Sequence, residues 1–154
     1  MPNTYTNLLF HIVYSTKCRK PFITPDWQDD LYGYIGGIIR EQKGILLAVG
    51  GMADHVHLLA KLPPTIAVSD MLRLVKTNSS KWANERADIR DFEWQAGYAA
   101  FSVSESQGDR VRGYIRTQET HHRRQPFKDE YLALLRKHNI AFDERYVFEE
   151  EHIG

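Results

Sequence analysis

The chain has 154 residues, 20 Lys and Arg against 20 Asp and Glu, and a pI near 7.1, enough for one domain with a real core and too evenly charged for a general nucleic-acid coat. Its 42% hydrophobic and 26% charged residues are ordinary for a soluble globular protein. No apolar run approaches membrane-spanning length, no basic segment leads into an apolar one at the N-terminus, and the single cysteine, Cys18, excludes an intramolecular disulfide and a cysteine-rich zinc site.

Thr4 to Ser15 is rich in β-branched and aromatic residues and reads as a buried strand. Thr16 to Pro25 is a loop carrying Lys17, Arg19 and Lys20. A helix is predicted over Asp26 to Lys43, capped by Thr24 or Asp26 and stopped by Gly44. Ile45 to Val49 and Asp54 to Leu62 read as strands joined through the turn-forming Gly50-Gly51, a hairpin that Pro63-Pro64 ends. Ser69, as N-cap, starts a second helix to Arg86; Met71, Leu72, Val75 and Trp82 form its core stripe, leaving Arg73, Lys76 and Lys81 outward. Ala99 to Val103 is a fourth strand. A third helix is expected from Asp109 to about Arg124 and a last one from Pro126 to His138, with Ile140 to Phe148 a short strand or an extended arm.

The order β-α-β-β-α-β followed by helices is the ferredoxin-like pattern: an α+β fold with an antiparallel sheet, helices on one face, and additional C-terminal helices, the first carrying Tyr114. Without repeats, low-complexity runs or linkers, residues 1–154 read as one domain.

His55-Val56-His57 enters the third strand. Residues two apart on a strand face the same side, so both imidazoles reach one cation while Val56 packs inward. Asp54 is placed to orient an imidazole or to close the turn. Tyr114 and Gln118 are four apart on one helical face, flanked by Arg112 and Arg116. Two histidines and an amide oxygen around a divalent ion, with a phenol nearby, suit the cutting of phosphodiesters. His121 and His122 are further ligands, proton carriers or surface residues, a supporting role being favoured. Charge is locally uneven: from Arg110 to Lys128 six basic residues face one acid, Glu119, whereas Ala141 to Gly154 is acidic. That stripe is a phosphate-binding surface or a solvated face. Trp94 and Tyr98 either stack on bases or, the favoured reading, pack in the core.

Thr16-Lys17-Cys18-Arg19-Lys20-Pro21, Asp54-His55-Val56-His57-Leu58-Leu59, Phe92-Glu93-Trp94-Gln95-Ala96-Gly97-Tyr98, Phe101-Ser102-Val103-Ser104 and Tyr114 to His122 occur in the order seen in single-tyrosine HUH transposases of the insertion-sequence-two-hundred group, which the chain resembles. The resemblance implies that His55, His57 and Gln118 bind Mg²⁺ or Mn²⁺ and that Tyr114 is the nucleophile. It further implies cleavage and rejoining of single-stranded DNA at hairpin-marked ends through a 5′-phosphotyrosine, in a cytoplasmic homodimer with composite sites, with Gly108 either a hinge for the tyrosine helix or a plain loop glycine. The expected DNA contacts are Lys17, Arg19, Lys20, Arg73, Lys76, Lys81, Arg112, Arg116, Arg123 and Arg124. The alternatives are a domesticated nuclease of the same type, a ferredoxin-like nucleic-acid-binding module without catalysis, and a metal-dependent hydrolase of small phosphoesters.

Overall fold

In the computed structural model, which describes residues 3–85, 89–118 and 125–148, four strands form one antiparallel sheet: β1 (Leu8–Ser15), β2 (Ile45–Met52), β3 (His55–Leu62) and β4 (Ala99–Val103), in the order β2-β3-β1-β4. That order and the helices between the strands are those of the ferredoxin-like arrangement. Helices α1 (Pro25–Glu41) and α2 (Val68–Glu85) cover one face. There Ile12, Tyr14, Val56, Leu58 and Ala60 of the sheet meet Leu31, Ile35, Ile39, Met71, Leu72 and Val75. Each fully buried Leu or Ile contributes roughly 1.5–3 kcal/mol relative to exposure.

Helices α3 (Gly108–Arg116) and α4 (Phe127–Lys137) cover the opposite face. Leu9, Ala48 and Leu59 pack with Ile115, while Val13, Ala99 and Phe101 pack with Phe127, Tyr131, Leu132 and Leu135. With helices on both sides, the central strand β3 is buried along almost its whole length. Its even positions serve one layer and its odd positions, His55, His57 and Leu59, the other.

Several boundaries differ from expectation for local reasons. β1 begins at Leu8, after an exposed Tyr5. The hairpin turns at Ala53-Asp54, and Gly50-Gly51 lie inside β2, paired with His57 and Val56. Gly50 is needed there because a Cβ would come 2.2 Å from the carbonyl oxygen of Ile115, the point where α3 presses on the sheet. α2 starts one residue ahead of Ser69, with Met71 N–H donating to the Ala67 carbonyl. α3 stops at Arg116 with Thr117 as C-cap, and the remainder of the expected tyrosine helix lies mostly outside the described residues. Gly108 has ordinary helical angles and ordinary room for a Cβ, so its conformation does not require glycine. The tail beyond Ile140 makes a short 3-10 turn, Glu144–Tyr146, before Phe148 buries against Phe127 and Tyr131. Among the described residues, no helix is long and apolar enough to cross a membrane.

Candidate active site

The centre of β3, where both sheet faces are covered, positions the site. Val13 and Ser15 of β1 pair with His57 and His55, and both imidazoles are fully buried against α3 and α4. Phe127 stacks on His55 with centroids 4.1 Å apart, fixing that ring in plane.

His55 Nδ1 lies 2.7 Å from Asp54 Oδ1 and carries its ring proton there. In the neutral imidazole with its proton on Nδ1, Nε2 is the nitrogen free to ligate a metal. That nitrogen lies 3.0 Å from Gln118 Oε1 and 3.7 Å from Glu130 Oε1. His57 Nε2 faces the same Glu130 oxygen at 3.1 Å. Ligand atoms of His55, His57 and Glu130 all fall within 4.8 Å of one another. Imidazole nitrogens, a carboxylate and an amide oxygen gathered in one buried space are the donor set a divalent cation takes. Ligands about 2.0–2.2 Å from an ion stand roughly 3–4 Å apart, so two nitrogens, a carboxylate and an amide oxygen here fit a divalent metal.

The orientations of these side chains are themselves held. Gln118, 1% exposed, donates through Nε2 to Glu130 Oε2 at 3.3 Å and to the Tyr114 carbonyl at 3.4 Å, which turns its oxygen toward His55. His57 Nδ1 is 2.9 Å from Nε2 of His11, a β1 residue that burial pushes down to a pKa of about 3, helped by the neighbouring His57, and so keeps neutral. Were His57 to ligate a metal, this imidazole would stand where a carboxylate or carbonyl partner is usual.

Tyr114 joins the cluster from α3. Its hydroxyl donates to Glu130 Oε2, and its ring meets His57 edge-on at 5.8 Å. Burial, then the hydrogen bond and charge of Glu130, raise its pKa well above the ordinary phenol value. Its hydroxyl therefore stays protonated at neutral pH.

Of the residues singled out in the sequence, His55, His57, Tyr114 and Gln118 meet in this one place. Glu130 and His11 escaped the sequence reading. Glu130 had a usable signal: along α4 it occupies a place in the apolar stripe Phe127, Tyr131, Leu134 and Leu135, yet it is a carboxylate and 2% exposed. His11 alternates with Leu9 and Val13 on an inward strand face, which says buried without saying why.

The basic residues are more dispersed. Lys76 holds the carbonyls of Gln95 and Gly97 at 2.8 and 2.6 Å, tying down the chain before β4. Lys17 pairs with Glu93 at 3.0 Å, and the Arg19 guanidinium lies 4.5 Å over the Phe148 ring. Lys20, Lys81, Arg116 and Arg73 are exposed, the last 3.4 Å from Asp70, while Arg112 is half-buried. Arg123 and Arg124, with His121 and His122, lie outside the described residues. Trp94 is core, its indole donating to Ser79 at 2.9 Å.

The sequence profile of the family described as "Transposase IS200 like" matches residues 4–118, well over half of the chain. The chain is 27% identical over 132 residues to the transposase for insertion sequence element IS200 of Salmonella typhimurium, covering 77% of this chain and 81% of that protein. To the ISDra2 transposase TnpA of Deinococcus radiodurans it is 23% identical over 124 residues, covering 72% and 84%. Its fold is similar to that of a REP-associated tyrosine transposase solved bound to a REP hairpin, with a TM-score of 0.59 at 16% identity over 79% of this chain and 73% of that one. The chain belongs to the IS200-like transposase family. Membership makes it a DNA-processing enzyme, and the His55, His57 and Glu130 cluster gives that enzyme a place able to hold a metal ion.

Proposed function

We propose that this protein cleaves and rejoins single-stranded DNA at hairpin-marked ends through a phosphotyrosine on Tyr114. The observation that carries this reading is the Tyr114 hydroxyl held on Glu130, whose other oxygen lies 3.7 and 3.1 Å from Nε2 of the buried His55 and His57. His55 Nε2, His57 Nε2, Gln118 Oε1 and Glu130 Oε1 would hold the divalent ion, magnesium or manganese. When bound, such an ion polarises a phosphate oxygen and stabilises the departing 3′ oxygen.

The chain's own residues supply the rest. Glu130 Oε2 accepts the phenol's hydrogen bond, leaving an oxygen lone pair to attack phosphorus and giving the proton a destination. The Oη–P bond forms as the P–O3′ bond breaks, and the 3′ oxygen takes a proton from solvent to leave as a free 3′-OH. Rejoining is the reverse: a 3′-OH attacks, Tyr114 departs, and Glu130 returns the proton. The phosphotyrosine conserves the energy of the broken bond, so no nucleotide cofactor is needed.

Exposed Lys20, Arg73, Lys81 and Arg116 are the side chains best placed to meet phosphates, whereas Lys17, Arg19 and Lys76 already hold the protein's own groups. The resemblance implies a homodimer with composite sites; because Tyr114 reaches Glu130 within one chain, each subunit would instead carry a site completed by its own tyrosine.

The test is to incubate the protein with labelled single-stranded DNA carrying the hairpin repeat beside its gene, with Mg²⁺ or Mn²⁺, and to read a denaturing gel. A metal-dependent labelled protein band, lost in Tyr114→Phe, is the expected result. Hairpin binding with no covalent band would favour a binding module instead.

A further inference from the structure

Beside Tyr114, residues of β1, β4, α3 and α4 line a cavity of about 570 Å³. Val103, Val111 and Leu134 give it apolar walls, the Tyr114 ring forms another, and Arg110 and Lys137 stand exposed at its mouth. His11, 4% exposed, lines its inner end. Neither the ligand set nor the chemistry described above uses this space.

The hydrogen-bond chain through the site dictates what His11 presents there. If His57 ligates through Nε2, its proton sits on Nδ1 and is donated to His11 Nε2, 2.9 Å away. An imidazole that accepts at Nε2 carries its proton on Nδ1, and Nδ1 of His11 bonds no described residue. The cavity is thus a slot with flat aromatic and aliphatic walls, one buried N–H donor within, and two cations outside. Those are the complements of a planar heterocycle with ring acceptors attached to a phosphate chain.

We infer that this cavity receives the unpaired nucleobase whose 5′ phosphate Tyr114 attacks, with His11 Nδ1–H donating to a base acceptor and Arg110 and Lys137 meeting the adjoining phosphates. The inference rests on the proposed function and extends it. Tyr114 lines both the donor cluster and the cavity, so the nucleotide left bonded to its hydroxyl is the one within reach. Insertion of the base would seat the scissile phosphate over the hydroxyl and restrict cleavage to one position in an otherwise uniform strand.

The experiment uses the full chain and the hairpin-bearing single strand, with 2-aminopurine or an abasic residue at each position flanking the cleavage point. Base–aromatic contact quenches 2-aminopurine at the one position 3′ of the cut, and an abasic residue there weakens binding about tenfold, whereas other positions are tolerated. Val111→Trp, which fills the cavity, weakens binding of the intact strand to a similar degree and leaves that of the abasic strand unchanged; circular dichroism checks that it folds. A covalent band with equal tolerance of abasic residues at every flanking position would overturn the cavity inference alone. Absence of any covalent band would instead strike the proposed function, and the fluorescence series still reads the cavity in that event.

Discussion

A carboxylate fully enclosed on an apolar helix stripe is a costly choice, and Glu130 is tolerated because four polar groups meet it: the imidazoles of His55 and His57, the Tyr114 hydroxyl and the Gln118 amide. Its two oxygens divide the work, Oε1 toward the histidines and Oε2 toward the phenol. Glu130→Gln keeps the size and removes the charge, so Mn²⁺ affinity measured by calorimetry should fall by at least about tenfold, with loss of the covalent band. Unchanged affinity with lost cleavage would confine Glu130 to the handling of Tyr114. The residues legible in the sequence were those set by short-range geometry, two positions apart on a strand or four on a helix. Glu130 lies 73 residues from His57, and no local spacing reveals that partnership.

At the scale of elements, α3 is a nine-residue helix anchored by one fully buried side chain, Ile115, and by the bare backbone at Gly50. Placing a methyl group 2.2 Å from the Ile115 carbonyl must push the helix off the sheet or distort β2. Gly50→Ala should therefore cost about 1–3 kcal/mol in urea denaturation and lower the yield of covalent complex, since Tyr114 rides on that helix. Wild-type stability in this variant would mean that α3 is held elsewhere. The same residue explains the misplaced hairpin turn. Gly50-Gly51 carries the composition of a turn, yet it sits in a strand because another backbone must approach it. Strand and helix identities followed from hydrophobic period, as in β3 and α2, but what a glycine leaves room for depends on the packing of a distant element.

For the molecule as a whole, several phenols are enclosed by the fold. Burial raises Tyr14 far above its ordinary value, and brings Tyr32 and Tyr131 up to about 12. The unfolded chain releases these protons near pH 10 while the folded chain retains them, so the unfolded state binds fewer protons and stability falls as pH rises past about 10. Denaturation midpoints should be level from pH 8 to 9.5 and drop by pH 11; a level profile throughout would mean that these rings ionise in place. Completeness of the site within one chain is open to a separate test. A mixture of Tyr114→Phe and His57→Ala subunits should remain inactive, because neither holds both halves, and recovered cleavage would mean that tyrosine helices exchange between subunits.

β3 alternates between two duties, Val56, Leu58 and Ala60 facing one layer and His55, His57 and Leu59 the other. Moving that strand by a single residue against its neighbours would drive both imidazoles into the aliphatic layer and leave valine and leucine beside Glu130. A slipped form would lack the cluster of His55, His57 and Glu130 altogether rather than carry a distorted one. For a DNA-processing enzyme, this ties an intact site to correct folding through the pleat of one strand.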